Sequence, residues 1–143
     1  MSVDVLVRRY EEADEEPVVA IWNAVLADPA PWNAPRFVIA KKLATQRELF
    51  FVGIVEDAVV GTAMGGFDGH RGWLYAVAVR PDRQRLGIGG ALVRHVEAKL
   101  VALGCPKVNL QVRATNRAVV AFYERLGYAV EERIQMGKRL VAP

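Results

Sequence analysis

Apolar residues follow two rhythms along this chain, short β-rich runs and three- to four-residue helical steps, and the two interleave from end to end. Asp4 to Tyr10 (DVLVRRY) predicts a first strand. Asp14 then stands where a helix N-cap belongs, ahead of Glu15, Glu16 and Pro17, which suit a first turn. Val18, Ile21, Trp22 and Val25 follow at helical spacing, and Asp28-Pro29 marks the end of that helix. The next residues, DPAPWNAPR, predict a proline-stiffened loop that carries Trp32 and Asn33, followed by a short helix from Arg36 to Gln46.

LFFVGIVE (49–56) and VVGTAMGG (59–66) read as strands, and Asp57-Ala58 between them predicts a hairpin turn. After the polar FDGHRG, the run WLYAVAVR (73–80) has few polar atoms on either side and predicts a strand buried on both faces. Ile88, Leu92, Val96, Leu100 and Leu103 recur at helical steps with Arg94 and Glu97 opposite, so a long amphipathic helix should run to Leu103, with Gly104 as its stop. Lys107 to Val112 predicts a strand, Asn116 to Leu126 a helix closed by Gly127, and Tyr128 to Leu140 one or two last strands. The predicted order is β-α-α-β-β-β-α-β-α-β-β, an α/β (α+β) chain with no linker and a single domain over residues 1–143.

Composition narrows the function classes. A formal charge of +3 over 143 residues, with acids and bases mixed and no long basic run, argues against a nucleic-acid arm and suits an anionic small molecule. One cysteine, Cys105, excludes an intrachain disulfide. No signal peptide or apolar run of membrane-spanning length is visible, and the expectation is a soluble cytoplasmic protein without membrane partners. His70, His95 and Cys105 are too scattered for a zinc site, so no metal is expected.

The candidate chemistry sits in RQRLGIGGAL (83–92), between a strand and the start of the long helix. The first amides of a helix lack internal partners and lie at the positive end of its dipole. Gly87, Gly89 and Gly90 let a phosphate approach them, and Arg83 and Arg85 add charge. A tight strand-to-helix connection would use the same glycines. A P-loop is excluded, because no Gly-Lys pair is correctly framed. The dinucleotide fingerprint fails at Leu92, where its third glycine belongs.

Gln84-Arg85-Leu86-Gly87-Ile88-Gly89 fits Q/R-x-x-G-x-G/A. With the preceding AVAVRPD it resembles the acyl-CoA-binding core of the GNAT superfamily of N-acetyltransferases. NRAVVAFYERLGY (116–128) resembles a second segment of that family. PWN, GGFDGHRG and GCPK look like its bacterial YpeA subgroup. The resemblance implies the GNAT fold, a mixed and mostly antiparallel sheet of six to seven strands flanked by about four helices.

It further implies that acetyl-CoA is the co-substrate. Val77, Ala78 and Val79 would pair with its pantetheine arm, and Arg85, Leu86, Gly87, Ile88, Gly89 and Gly90 would hold its pyrophosphate. Many family members have glycine where this chain has Arg85. Asn116 would touch the cofactor arm, and Tyr123 would contact it and protonate the departing thiolate. The implied reaction is direct attack of an amine on the thioester in a ternary complex. The pair lies about two helical turns apart and so shares a helix face. Asn116 read alone also suits a helix N-cap, and Tyr123 a core aromatic with its hydroxyl at the surface.

Where some protein N-terminal acetyltransferases of the superfamily carry a glutamate, this chain has Gln111, which cannot accept a proton. Glu56, Asp68 and His70 remain as candidate bases. Trp32, Asn33, Asp68 and His70 are the candidates on the side of the acceptor, a small-molecule or peptide amine. Two readings follow, an N-acetyltransferase or a non-catalytic acyl-CoA-binding module, with nucleic-acid binding a weaker third. Oligomeric state stays open between monomer and homodimer.

Overall fold

One five-stranded sheet organises the first part of the chain. Its strands are β1 (Leu6–Arg9), β2 (Phe50–Val55), β3 (Ala58–Phe67), β4 (Gly72–Val79) and β5 (Val108–Asn109), in that spatial order. The first three junctions are antiparallel and β4 pairs with β5 in parallel. The computed structural model describes residues 3–141. These fall into two compact units, one running through Gln111 and the other beginning at Val112.

In the first unit, α1 (Glu15–Val25) and α2 (Pro35–Thr45) cover one face of the sheet. Tyr10, Val18, Ile21, Trp22 and Ile39 pack there on Phe50, Val52 and Met64, with the Tyr10 and Phe50 rings stacked at 4.4 Å. α3 (Ile88–Ala102) covers the other face through Ile88, Leu92, Val96 and Leu100. It lies close, because glycine faces it from β3. A Cβ on Gly61 would stand 2.9 Å from Leu92 Cδ1 and 3.0 Å from the Ala78 carbonyl, and one on Gly65 would stand 2.7 Å from Val96 Cγ1. Removing these side chains brings the helix backbone toward the sheet and with it the N-terminus of α3.

Several elements differ from the sequence expectation, each for a local reason. The hairpin turn is Glu56–Asp57, one residue earlier than expected, with φ of 51° and 64°. Two-residue turns that match strand twist need both central residues in the left-handed region, and Ala58 is already paired with Val55. Asp14 occupies the N-cap position of α1, but its carboxylate instead takes the Arg8 guanidinium at 2.8 and 3.0 Å and the Glu11 N–H at 2.8 Å. It therefore ties β1 to the turn before the helix. α1 stops at Val25, before Asp28, and Pro31–Asn33 forms a single 3-10 turn. His95 packs edge-on against Phe51 at 4.6 Å.

β4 packs on both faces, though incompletely: Ala78 and Ala76 meet the core under α1 and α2, and Leu74 pairs with Gly65, which faces α3. Leu74 and Ala78 are buried, whereas Trp73, Ala76, Val77 and Val79 are partly open and Tyr75 is 42% exposed. The six-residue strand expected at Lys107–Val112 shrinks to β5, which meets only Gly72 and Trp73. Farther along, β4 is bent by a bulge, a usual way to end a ladder.

In the second unit, α4 (Arg117–Arg125) is closed by Gly127 at φ 95°. The Asn116 side chain accepts the Val119 N–H at 3.3 Å, which is the N-cap reading of that residue. The strands expected over Tyr128–Leu140 are not formed, which leaves five strands among the described residues where six to seven were expected. The apolar alternation is present there, but Val130, Ile134, Met136 and Leu140 are 77 to 93% exposed among the charged residues of EERIQMGKR. Alternation fixes a strand only where one side is buried.

Candidate active site

The site is built around an interruption in β4. Thr62 faces Ala78 and Met64 faces Tyr75, so the register slips between them and Ala76 takes a φ of 51°. A short polar chain holds this bulge. The Trp22 indole N–H donates to Thr62 Oγ1 at 2.8 Å, and the Thr62 hydroxyl donates to the Ala76 carbonyl at 2.7 Å. After the bulge, the Arg80 N–H bonds the Val60 carbonyl of β3. Antiparallel residues alternate in the direction of their polar groups, so Val79 and Val77 turn theirs to the opposite edge. In the sheet of the first unit no strand among the described residues pairs with that edge beyond Trp73. Val77, Ala78 and Val79 thus lie together where the sequence placed a cofactor arm, with the Val79 carbonyl taken by the Gln84 side-chain amide at 3.1 Å.

The loop that follows turns sharply. Pro81–Arg83 is a 3-10 turn, braced by Arg80 on Asp82 at 2.6 and 3.0 Å. Arg85 adopts φ 65° and Gly87 φ 84°. Arg85 therefore holds the left-handed backbone that a glycine would adopt without strain. Leu86 is fixed by its carbonyl, which accepts the Val3 N–H at 3.2 Å. Gly87 offers no side-chain cap to α3, so the amides of Ile88, Gly89 and Gly90 begin the helix without one. Arg85 is exposed beside them, whereas Arg83 turns back toward Glu56 at 3.7 Å. Only one of the two arginines is left to serve the loop.

In the second unit, Tyr123 packs edge-on between the rings of Phe122 and Tyr128, at 4.9 and 5.5 Å. Burial pushes its phenol up to about 12, so it keeps its proton at neutral pH.

The candidate bases fare poorly. Glu56 sits in the hairpin turn, its side chain 78% exposed and directed at Arg83. Asp68 folds the turn before β4, accepting the His70 and Arg71 N–H groups at 2.8 Å, and those bonds hold its carboxylate below the usual range. His70 is exposed in the same turn, and Gln111 is exposed as well. Trp32, partly buried, and Asn33, exposed, share the turn between α1 and α2.

Lys42 and Tyr75 were not foreseen. Lys42 is 6% exposed, and its ammonium donates to the Gly65 carbonyl and to Tyr75 Oη at 3.3 Å, with Nζ 5.3 Å from the centre of the Tyr75 ring. Burial lowers its pKa to about 8. The same burial raises the Tyr75 phenol, whose ring lies across Gly66, where a Cβ would meet its oxygen at 2.5 Å. The signal was available in the sequence. Ile39 and Leu43 mark the inner face of α2, and Lys42 falls between them on that face.

A strand edge left open beside a bulge, a left-handed loop and an uncapped glycine-rich helix start together define an acyltransferase of the GNAT class. The chain belongs to this family: residues 10–128 match the Acetyltransferase (GNAT) family. An acetyltransferase of Yersinia enterocolitica is 43% identical over 135 residues, covering 94% of this chain and 95% of that protein. The ribosomal-protein-S18-alanine N-acetyltransferase of Escherichia coli superposes with a TM-score of 0.72 at 28% identity, over 87% of this chain and 77% of that one. An aminoglycoside N-acetyltransferase in complex with CoA shares the fold, with a TM-score of 0.76 at 15% identity and 96% of each chain covered.

Proposed function

We propose that this acetyltransferase moves the acetyl group of acetyl-CoA to a primary amine of a small molecule or peptide, by direct attack in a ternary complex. The observation that carries this reading is the open β4 edge at Val77–Val79, leading through the Arg85–Gly87 turn to the first amides of α3. Peptide-like amides of a pantetheine arm suit such an edge as an added strand would. A pyrophosphate suits the helix start, with Arg85 beside it. An N–H on the open edge next to the bulge would meet the charge that develops on the thioester oxygen. Tyr123, protonated at neutral pH, would return a proton to the leaving sulfur.

The test is release of CoA thiol from acetyl-CoA in the presence of polyamines, amino acids and peptides with free N-termini, with acetyl-CoA binding followed separately by melting temperature. Turnover with at least one amine is expected, and Tyr123→Phe should lower kcat by about 10²-fold or more while leaving acetyl-CoA binding in place. Stabilisation by acetyl-CoA with only background thiol release for every amine would replace the enzyme with a binding module.

A further inference from the structure

An amine that attacks a thioester must first lose a proton, and Glu56 is turned toward Arg83, Asp68 holds a turn, His70 lies exposed in that same turn and Gln111 is an amide. The buried interior of the first unit holds a different group. Five arginines of the first unit face carboxylates: Arg8 meets Asp14, Arg36 meets Glu15 and Glu16, Arg47 meets Glu12, Arg80 meets Asp82 and Arg83 meets Glu56. Lys42 is deeper than any of these, and its hydrogen-bond partners are a carbonyl and a phenol, both neutral. Structural cations at such depth ordinarily have an anion beside them.

Its place in the fold gives it a use. Tyr75 directly precedes the Ala76 bulge and is 42% exposed, so its phenol, which lies over Gly66, connects the buried Lys42 amine to the surface beside the interrupted part of β4. Resting on the acetyl-transfer reading above, we propose that Lys42 in its neutral form is the proton acceptor of the reaction, reached through the Tyr75 hydroxyl.

In this step an N–H bond of the acceptor ammonium breaks. Its proton passes to Tyr75 Oη as the phenol's own proton passes to the lone pair on Lys42 Nζ. The freed pair on the acceptor nitrogen forms the bond to the acetyl carbon. As the C–S bond breaks, its electrons leave with sulfur. The nitrogen gives up its second proton to solvent as the thiolate takes one up to become the thiol, and Lys42 later returns its proton to solvent, so one proton is released in all. Burial lowers the pKa of Lys42 and the Glu48 carboxylate, from the turn after α2 and beyond ion-pair distance, raises it in part, while the Tyr75 phenol of β4 faces the amine as a hydrogen-bond partner. β3 contributes only the Gly65 carbonyl, and Lys41 on the same helix lies over the Phe37 ring instead. A neutral amine at this position becomes abundant as pH rises toward 8, within reach of physiological conditions.

The experiment is the pH profile of kcat/KM from pH 6 to 10, read by CoA thiol release with the best amine of the panel, for the parent, Lys42→Met and Tyr75→Phe. The parent should rise through an apparent pKa near 8. Lys42→Met should lose that rise and about 10²-fold in kcat, with acetyl-CoA still raising the melting temperature. Tyr75→Phe keeps the ring and should lose kcat without loss of fold, so it stands in should Lys42→Met fail to fold. If the parent turns over and either folded variant keeps the parent's profile and kcat, the relay is wrong and acetyl transfer stands. If the parent releases no CoA with any amine, acetyl transfer itself falls and the relay with it.

Discussion

At the scale of single residues, the decisive groups are polar side chains placed inside an apolar face. Thr62 is fully buried, receives the Trp22 indole N–H and donates to the carbonyl of the strained Ala76, so one hydroxyl connects α1 to the bulge. Thr62→Val keeps the shape and removes both bonds, leaving a buried donor and a carbonyl unpaired. It should cost about 1–3 kcal/mol of stability by urea unfolding, and lower turnover further by loosening the bulge. Lys42 makes a separate prediction about stability. Its folded pKa, about 8, lies below the 10.5 of an unperturbed lysine, so between those values the unfolded chain binds more protons than the folded one. Stability should therefore rise as pH goes from 8 to 10.5, and urea unfolding of Lys42→Met beside the parent should show the rise only in the parent.

At the scale of elements, the strands of the β2–β3–β4 meander and the helices α1 and α3 were legible because each carries its own periodicity and punctuation, such as Ile88 to Leu100 before Gly104. The RQRLGIGGAL loop was legible too, since glycine and arginine at fixed spacing report a backbone requirement. What escaped was decided by neighbours. β5 looks like a six-residue strand on its own, yet finds only two partners on β4, and Val130 to Leu140 alternates without a buried side. Lys42 escaped because a lysine beside Lys41 reads as solvent-facing until Ile39 and Leu43 fix which side of α2 points inward. The glycines of β3 were equally ambiguous, and the structure gives them a job. In Gly61→Ala the new methyl would press on Leu92, which can move, and on the Ala78 carbonyl, which cannot. A loss of about 1–3 kcal/mol by thermal or urea unfolding is expected, together with weaker acetyl-CoA binding as the start of α3 is pushed off the sheet.

At the scale of the whole molecule, the net charge of +3 is spread over local ion pairs, and no helix among the described residues is long and apolar enough to cross a membrane. The feature with the widest consequence is the edge of β4. A row of unpaired backbone groups is adhesive toward any extended chain, including another copy of this one. The Gln84 amide shields the Val79 carbonyl, and the charged loop from Arg80 to Arg85 borders the rest. A co-substrate lying along that edge would act as a removable chaperone as well as a reactant. Acetyl-CoA at about a hundred times its Kd should raise the melting temperature by roughly 5–10 °C. Light scattering on heating should set in earlier for the unliganded protein. A cell short of acetyl-CoA would then lose this enzyme to self-association as well as to want of substrate.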